Sequence, residues 1–196
     1  DAQTRGSPAA DPPPADPAPA AAPLEPPAPT GRIPPAPEAS ELPSRVAYII
    51  LPGCGSGDPA ALQEYALDLR RLILAAEDRS PAGWIIDLRL NGGGNVWPML
   101  LGLQPLLGDG ACTMSIEPLR TAHFGCDATS TWIDWPDGTR QVQLTIEPPE
   151  GDRTIAPAPI AVLMGGWTMS SAEVTAAALK GLPRARLFGE PTAGLT

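Results

Sequence analysis

With 196 residues and a formal charge of −9, at a pI near 4.5, the chain has room for one ordinary domain and is too acidic to be drawn to nucleic acid or an anionic membrane. No apolar run reaches the roughly eighteen residues of a membrane span, and the first residues lack the basic-then-apolar order of a signal peptide, so membrane contact is not indicated. Three cysteines without CxxC spacing and a single histidine make no set of zinc ligands, and neither a metal nor another cofactor is expected.

Residues 1–43 hold 14 of the 27 prolines, many alanines and only two basic residues, with almost no large apolar side chain before Ile33. Such a segment cannot bury enough surface to offset its ordering entropy and reads as a disordered or polyproline II linker. The folded part, 44–196, opens on VAYIIL (46–51), which has the β-branched apolar character of a buried strand and ends at PGCGSGDP (52–59). A helix is expected next. Asp58 suits its N-cap and Pro59 its first position, and Leu62, Tyr65 or Ala66, Leu69, Leu72, Ile73 and Ala76 recur at three and four residues to give one apolar face. Asp68, Arg70 and Arg71 fall on its solvated side. Ser80-Pro81 breaks the helix and Trp84–Leu88 supplies a second strand, which makes a βαβ unit with parallel pairing and the helix over one face.

Gly92, Gly93 and Gly94 follow, then a short helix over Asn95–Leu107 with Pro98 near its start. ACTMSI (111–116) reads as an edge strand, LRTAHFGCD (119–127) as a loop, and TWIDW (131–135) with RQVQLTI (140–146) as a hairpin. Cys112 and Cys126 are placed either to bridge a loop or to remain two thiols, with Cys54 the odd one out. Prolines 148, 149, 157 and 159 lead into the apolar strand Ile160–Met164, the turn glycines Gly165 and Gly166, and helix formers from Ala172 to Lys180. That turn delivers Thr168, Ser170 and Ser171 to a helix start, beside N–H groups with no intrahelical partner, which is the environment an oxyanion needs. Capping the helix is the plainer role for any of the three. Arg186–Phe188 reads as one more strand, with GEPTAG (189–194) at its carboxyl end. Sites of open α/β sheets gather at that edge, so the Gly92 loop, the Ser170 turn and the 189–194 loop are expected to converge.

Three stretches in this order, DLRLNGGG (87–94), TMSSAE (168–173) and GEPTAG, resemble the C-terminal processing (tail-specific) serine peptidase family, above all its nisin-resistance-like bacterial members with TASSAE and GEPTAGL. The resemblance covers residues 45–196. It implies an α/β fold with a ClpP/crotonase-like spiral βαβ core, incomplete at both ends. The implied activity is that of a serine-type endopeptidase cleaving peptide or protein substrates near their C-terminus through an acyl-enzyme. By the same resemblance Ser170 is the nucleophile with Ser171 as fallback, Glu173 is the acidic position, and the oxyanion is held by the Ser171 N–H with one from Gly93 or, next, Gly92. Glycines let a backbone approach a reacting carbonyl with no β-carbon in the way, although a tight strand-to-helix turn also accounts for them. Asp87 and Arg89 are expected to brace the loop. Export to the cell envelope or beyond is implied as well, and nothing in the sequence sets an oligomeric state.

A serine hydroxyl needs a base. The better-known family members use a lysine just after the GEPT loop, where this chain has Leu195. Lys180, the only lysine, is ten residues along the helix from Ser170, roughly 15 Å at about 1.5 Å rise per residue. The nisin-resistance-like members resemble a serine and histidine pair with the histidine before the first strand, whereas His123 comes after the glycine loop. The expectation is therefore a catalytic histidine upstream of Asp1, with His123 the lesser candidate, and little peptidase activity in this chain alone. The main alternative is a non-catalytic binder of an apolar ligand or peptide, as in the retinoid-binding proteins on this framework. A crotonase-type acyl-CoA enzyme has no need of a serine pair followed by glutamate. Removing residues 1–43 is expected to shift the melting temperature by less than about 2 °C, and calorimetry of the shortened and unshortened chains checks it, a larger loss meaning that the segment packs.

Overall fold

The computed structural model describes residues 45–117 and 120–194, the side chains of 111–121 excepted. The linker expected at 1–43, Leu195 and the Cys112 side chain, on which a bridge to Cys126 depends, lie outside these described residues. In chain order the elements are β1 (Val46–Ile50), α1 (Pro59–Glu77), β2 (Gly83–Asp87), α2 (Val96–Leu107), β3 (Gly110–Glu117), β4 (Arg120–Cys126), β5 (Ser130–Asp134), β6 (Arg140–Thr145), β7 (Ile160–Met164), α3 (Ser171–Lys180) and β8 (Ala185–Gly189). The strands form a parallel sheet ordered β1-β2-β7-β8 and an antiparallel sheet ordered β3-β4-β5-β6.

Both long helices start where their caps dictate. The Asp58 carboxylate accepts the Ala61 N–H at 3.3 Å ahead of Pro59, whose missing N–H would have had no intrahelical partner. Asn95 does the same for α2, accepting the Trp97 N–H at 3.0 Å. One face of the parallel sheet, carrying Ala47, Ile49, Trp84, Ile86, Ile160, Val162 and Ala185, is buried in one core with Leu62, Leu69 and Ile73 of α1, Met99 and Leu103 of α2, and Leu179 of α3. Gly102 sets the spacing between α1 and α2, since a β-carbon there would come within 2.7 Å of Leu69 Cδ2.

The spiral βαβ core is corrected by this topology. After β1-α1-β2-α2 the chain leaves the parallel sheet, runs four consecutive strands as an antiparallel meander, and only then returns for β7-α3-β8. The links within 110–145 are too short for crossovers, and short links join antiparallel neighbours, so the spiral cannot continue through them. The stretch expected to be a loop around His123 is strand β4. Its Ala122 and Phe124 are buried with Ile133 against Val96, Trp97 and Val174, and the Phe124 and Trp97 rings meet at 4.7 Å. A strand that opens on Arg120 and Thr121 and is interrupted by His123 and Gly125 carries no apolar run to mark it.

Arg70, expected in solvent, is fully buried. The reason is that α1 packs on two sides, against the parallel sheet and against α2 with the meander. The guanidinium donates to the Leu101 carbonyl at 2.7 Å, to the Ala128 carbonyl at 2.5 Å and to Asp152 at 3.1 Å. Burial lowers its pKa from the ordinary value despite the Asp152 charge beside it. Arg70→Ala is expected to cost about 3–5 kcal/mol, because it strands a half-buried carboxylate and two carbonyls. Arg71→Ala, which removes an exposed pair with Asp68, should stay within about 0.5 kcal/mol. Urea unfolding of the two variants checks the contrast, and equal costs would contradict it.

Candidate active site

The turn between β7 and α3 holds Ser170 at φ 53° and ψ −121°, a region that non-glycine residues enter only under constraint. A strained strand-to-helix turn of this kind lifts the nucleophilic serine clear of the sheet in α/β-hydrolases. Hydrogen bonds fix it residue by residue. The Ser170 N–H donates to Glu173 Oε2 at 2.8 Å, and the Ser170 carbonyl accepts from the Glu173 and Val174 N–H groups. Buried Thr168 donates its hydroxyl to the Leu88 carbonyl at 2.8 Å and accepts the Gly165 N–H at 3.0 Å, tying the turn to the end of β2.

The two serines are not equivalent. Ser171 is buried and its hydroxyl donates to the Gly94 carbonyl, whereas Ser170 is only half-buried. No described hydrogen bond occupies the Ser171 N–H, the first of α3. A hydroxyl already donating its proton to a carbonyl is a poor nucleophile, and a free N–H at a helix start is a good oxyanion donor.

Facing this turn is the glycine loop, and its three glycines differ in what they tolerate. Gly93 has φ 91°, and a β-carbon on it would lie 2.8 Å from the Met169 carbonyl oxygen and 2.9 Å from Ser170 Cβ. Gly94 has φ 106° and presses on the Cys54 carbonyl, where a β-carbon would sit at 2.1 Å. Gly92 meets nothing within 4 Å. The Gly93 N–H donates to Asn91 Oδ1 at 2.9 Å, and the Gly93 carbonyl accepts the Cys54 N–H at 3.0 Å. Among the described residues nothing accepts from the N–H of Gly92 or Gly94.

Glu173 joins the third loop to the other two. While Oε2 holds Ser170, Oε1 accepts the Thr192 hydroxyl at 2.5 Å and the Gly194 N–H at 3.0 Å. The Ala193 N–H adds a bond to the Thr168 carbonyl at 3.0 Å. With both oxygens engaged, Glu173 is arranged to position backbone rather than to take a proton. Behind the turn, at the carboxyl edge of the parallel sheet, an open cleft of about 1010 Å³ is lined by Leu90, Met164, Trp167 and Met169 together with Tyr48 and Arg89. Asp87 sits buried at its base, receiving Arg89 Nη2 at 2.7 Å, the Arg89 N–H at 2.9 Å and the Tyr48 hydroxyl. Burial opposes its charge, yet the bonds from Arg89 and Tyr48 prevail and hold its pKa below the usual carboxylate range. Asp87 and Arg89 thus brace the β2 end of the loop, with Tyr48 as a third member.

Neither sequence candidate for a base is brought to Ser170 by a described contact. His123 lies on β4 opposite Asp134 of β5. Strand alternation turns it away from the face where Ala122 and Phe124 meet α2 and α3. Lys180 closes α3 at the end remote from Ser170. Asn91 and Tyr48 were not singled out from the sequence, and Thr168, read there as a possible helix cap, instead ties the turn to the Leu88 carbonyl; the Asn before the glycine run was the one available signal, since Asn accepts from backbone N–H groups two residues on.

Residues 45–196 match the model of peptidase family S41. The chain is 35% identical over 114 residues to the nisin-resistance protein of Lactococcus lactis subsp. lactis, a match covering 58% of this chain and 33% of that protein. Its structure is similar to that of a lipoprotein from Streptococcus agalactiae, with a TM-score of 0.56 and 26% identity over 79% of this chain and 49% of the other. A photosystem II D1 C-terminal processing protease matches at a TM-score of 0.44 and 22% identity, over 83% of this chain and 34% of its own. The chain therefore spans half or less of the length of each of these proteins. Together with the sheet topology, the likeness to the Streptococcus agalactiae lipoprotein replaces the expected ClpP/crotonase-like spiral by the α/β fold of that relative. Gly93→Ala is expected to cost more than about 2 kcal/mol, from its positive φ and the contact with Ser170, and Gly92→Ala less than about 1 kcal/mol. Urea unfolding separates the two, and equal tolerance would show that the loop does not lie against the turn.

Proposed function

The chain belongs to peptidase family S41, and from that premise we propose that the intact protein is a serine endopeptidase whose nucleophile is Ser170. The observation that carries the reading is the asymmetry of the serine pair. Ser170 stands on a strained turn at the head of α3, while the Ser171 hydroxyl is engaged by Gly94 and the Ser171 N–H is left over. In this reading Ser170 Oγ attacks the scissile carbonyl as its proton passes to a base. The oxyanion collects at the Ser171 N–H and the glycine loop, and collapse expels the amine and leaves an acyl-enzyme for water to hydrolyse. Glu173 acts by holding the Ser170 N–H and the 190s loop.

The substrate class proposed is a peptide or protein cut near its C-terminus, with apolar side chains accommodated by Leu90, Met164, Trp167 and Met169 of the cleft. Residues 44–196 are proposed as part of the peptidase core and 1–43 as its linker. An exported location is proposed from the relatives, one of which is a lipoprotein. Intact-mass analysis of the whole protein after fluorophosphonate treatment tests the assignment. The adduct should form in the wild type and in Ser171→Ala and be absent from Ser170→Ala, with peptide turnover abolished in the last. The reverse pattern would overturn Ser170 as nucleophile, and an unlabelled wild type would point to a non-catalytic binder of an apolar ligand or peptide.

A further inference from the structure

Asn91 is fully buried, yet its polar groups reach five segments of the chain. Its Oδ1 accepts the Gly93 N–H at 2.9 Å, and its Nδ2 donates to the Pro52 carbonyl at 3.3 Å and lies 3.7 Å from Met99 Sδ of α2. Its own N–H donates to the Leu88 carbonyl at 3.0 Å, and its carbonyl accepts the N–H of Met169, the residue before Ser170, at 3.2 Å. One residue, through its side chain and its own N–H and carbonyl, thus ties the loop after β1, the end of β2, the glycine loop and the nucleophile turn together. A carboxamide accepts and donates from one plane without a charge; a carboxylate only accepts, and an aliphatic side chain does neither.

We infer that Asn91 is a positioning residue for catalysis, holding the glycine loop in register with the Ser170 turn. The Gly93 N–H is engaged by Asn91 Oδ1, while among the described residues no hydrogen bond occupies the N–H of Gly92, the other loop donor expected from the sequence. The inference rests on the peptidase reading of Ser170. Gly93 abuts Ser170 Cβ, so a loop released from Asn91 Oδ1 shifts against the nucleophile itself. Misplaced oxyanion donors weaken the transition state more than they weaken substrate binding, and the loss belongs in kcat rather than in KM.

Steady-state peptide hydrolysis by the intact protein, normalised to active sites by exhaustive fluorophosphonate titration, tests this in the wild type, Asn91→Ala and Asn91→Asp. Asn91→Ala is expected to lower kcat about 10²-fold with KM within about 2-fold of the wild type. Assayed toward acid pH, where a buried carboxyl is protonated and so keeps both an acceptor for the Gly93 N–H and a donor for the Pro52 carbonyl, Asn91→Asp should lose no more than about 10-fold in kcat against the wild type at the same pH. Normalisation to labelled sites removes any loss of folded protein from the comparison, and Asn91→Asp stands in where the alanine variant yields no titratable sites. The inference is overturned if Asn91→Ala retains wild-type kcat, if its loss lies in KM alone, or if Asn91→Asp falls as far as Asn91→Ala. A wild type that does not label overturns the peptidase reading first, whereas a labelled wild type with an unaffected Asn91→Ala overturns only the role given to Asn91.

Discussion

The left-handed backbone of Ser170 is the constraint on which the rest of the site depends. A non-glycine residue held there costs about 1–3 kcal/mol and relaxes unless its neighbours fix it from several sides. Three contacts do so here. Glu173 holds the Ser170 N–H from within the helix, the Asn91 carbonyl takes the Met169 N–H just before it, and Gly93 fills the space beneath with no β-carbon. The strain is balanced by contacts that also aim the surrounding groups, so stability and chemical arrangement come from the same bonds.

The three loops around the site reach one another because of where the parallel sheet ends. The glycine loop follows β2, the serine turn follows β7 and the Glu190 to Gly194 loop follows β8, so neighbouring strands deliver them to one edge. Local chemistry then sets the register. Thr168 bonds the Leu88 carbonyl across β2 and β7, and the Glu173 carboxylate bridges α3 to Thr192 and Gly194. At the start of α3 a carboxylate is favoured by the helix dipole, and three donors fix both its oxygens.

How much of this the sequence disclosed follows from the range of the forces involved. Caps and turns are local, so Asp58, Pro59, Asn95 and the glycines could be read from their immediate neighbours. The parallel βαβ unit also follows from periodicity and crossover length. Arg70 could not be read, because its burial depends on α2 and the meander packing over the second side of α1, and a charged residue on a helix reads as solvated until that cover is known. Strand β4 was lost for a related reason: its apolar positions are Ala122, Phe124 and Cys126, too small or too spaced to form a run, and pairing on both sides makes it a strand. In the site, Ser170, Glu173 and the glycine loop stood out by motif, whereas Asn91 and Tyr48, and the bond by which Thr168 departs from a capping role, act through partners between about 40 and 80 residues away or through buried backbone.

The antiparallel meander has a place in this argument although it carries no motif. Its inner face, with Ala122, Phe124 and Ile133, packs on Val96 and Trp97 of α2 and on Val174 of α3. Helix α3 therefore lies between the parallel sheet, through Ala176 and Leu179, and the meander, through Val174. A helix gripped on two sides cannot tilt to relieve the strain at its N-cap, Ser170, and in the proposed peptidase reading the N–H of Ser171 keeps its direction before substrate arrives. Donors that need no reorganisation at the moment of reaction are the ones that stabilise a developing oxyanion most. The meander's contribution to chemistry is thus mechanical: it makes the head of α3 rigid, and rigidity there lets a strained serine persist.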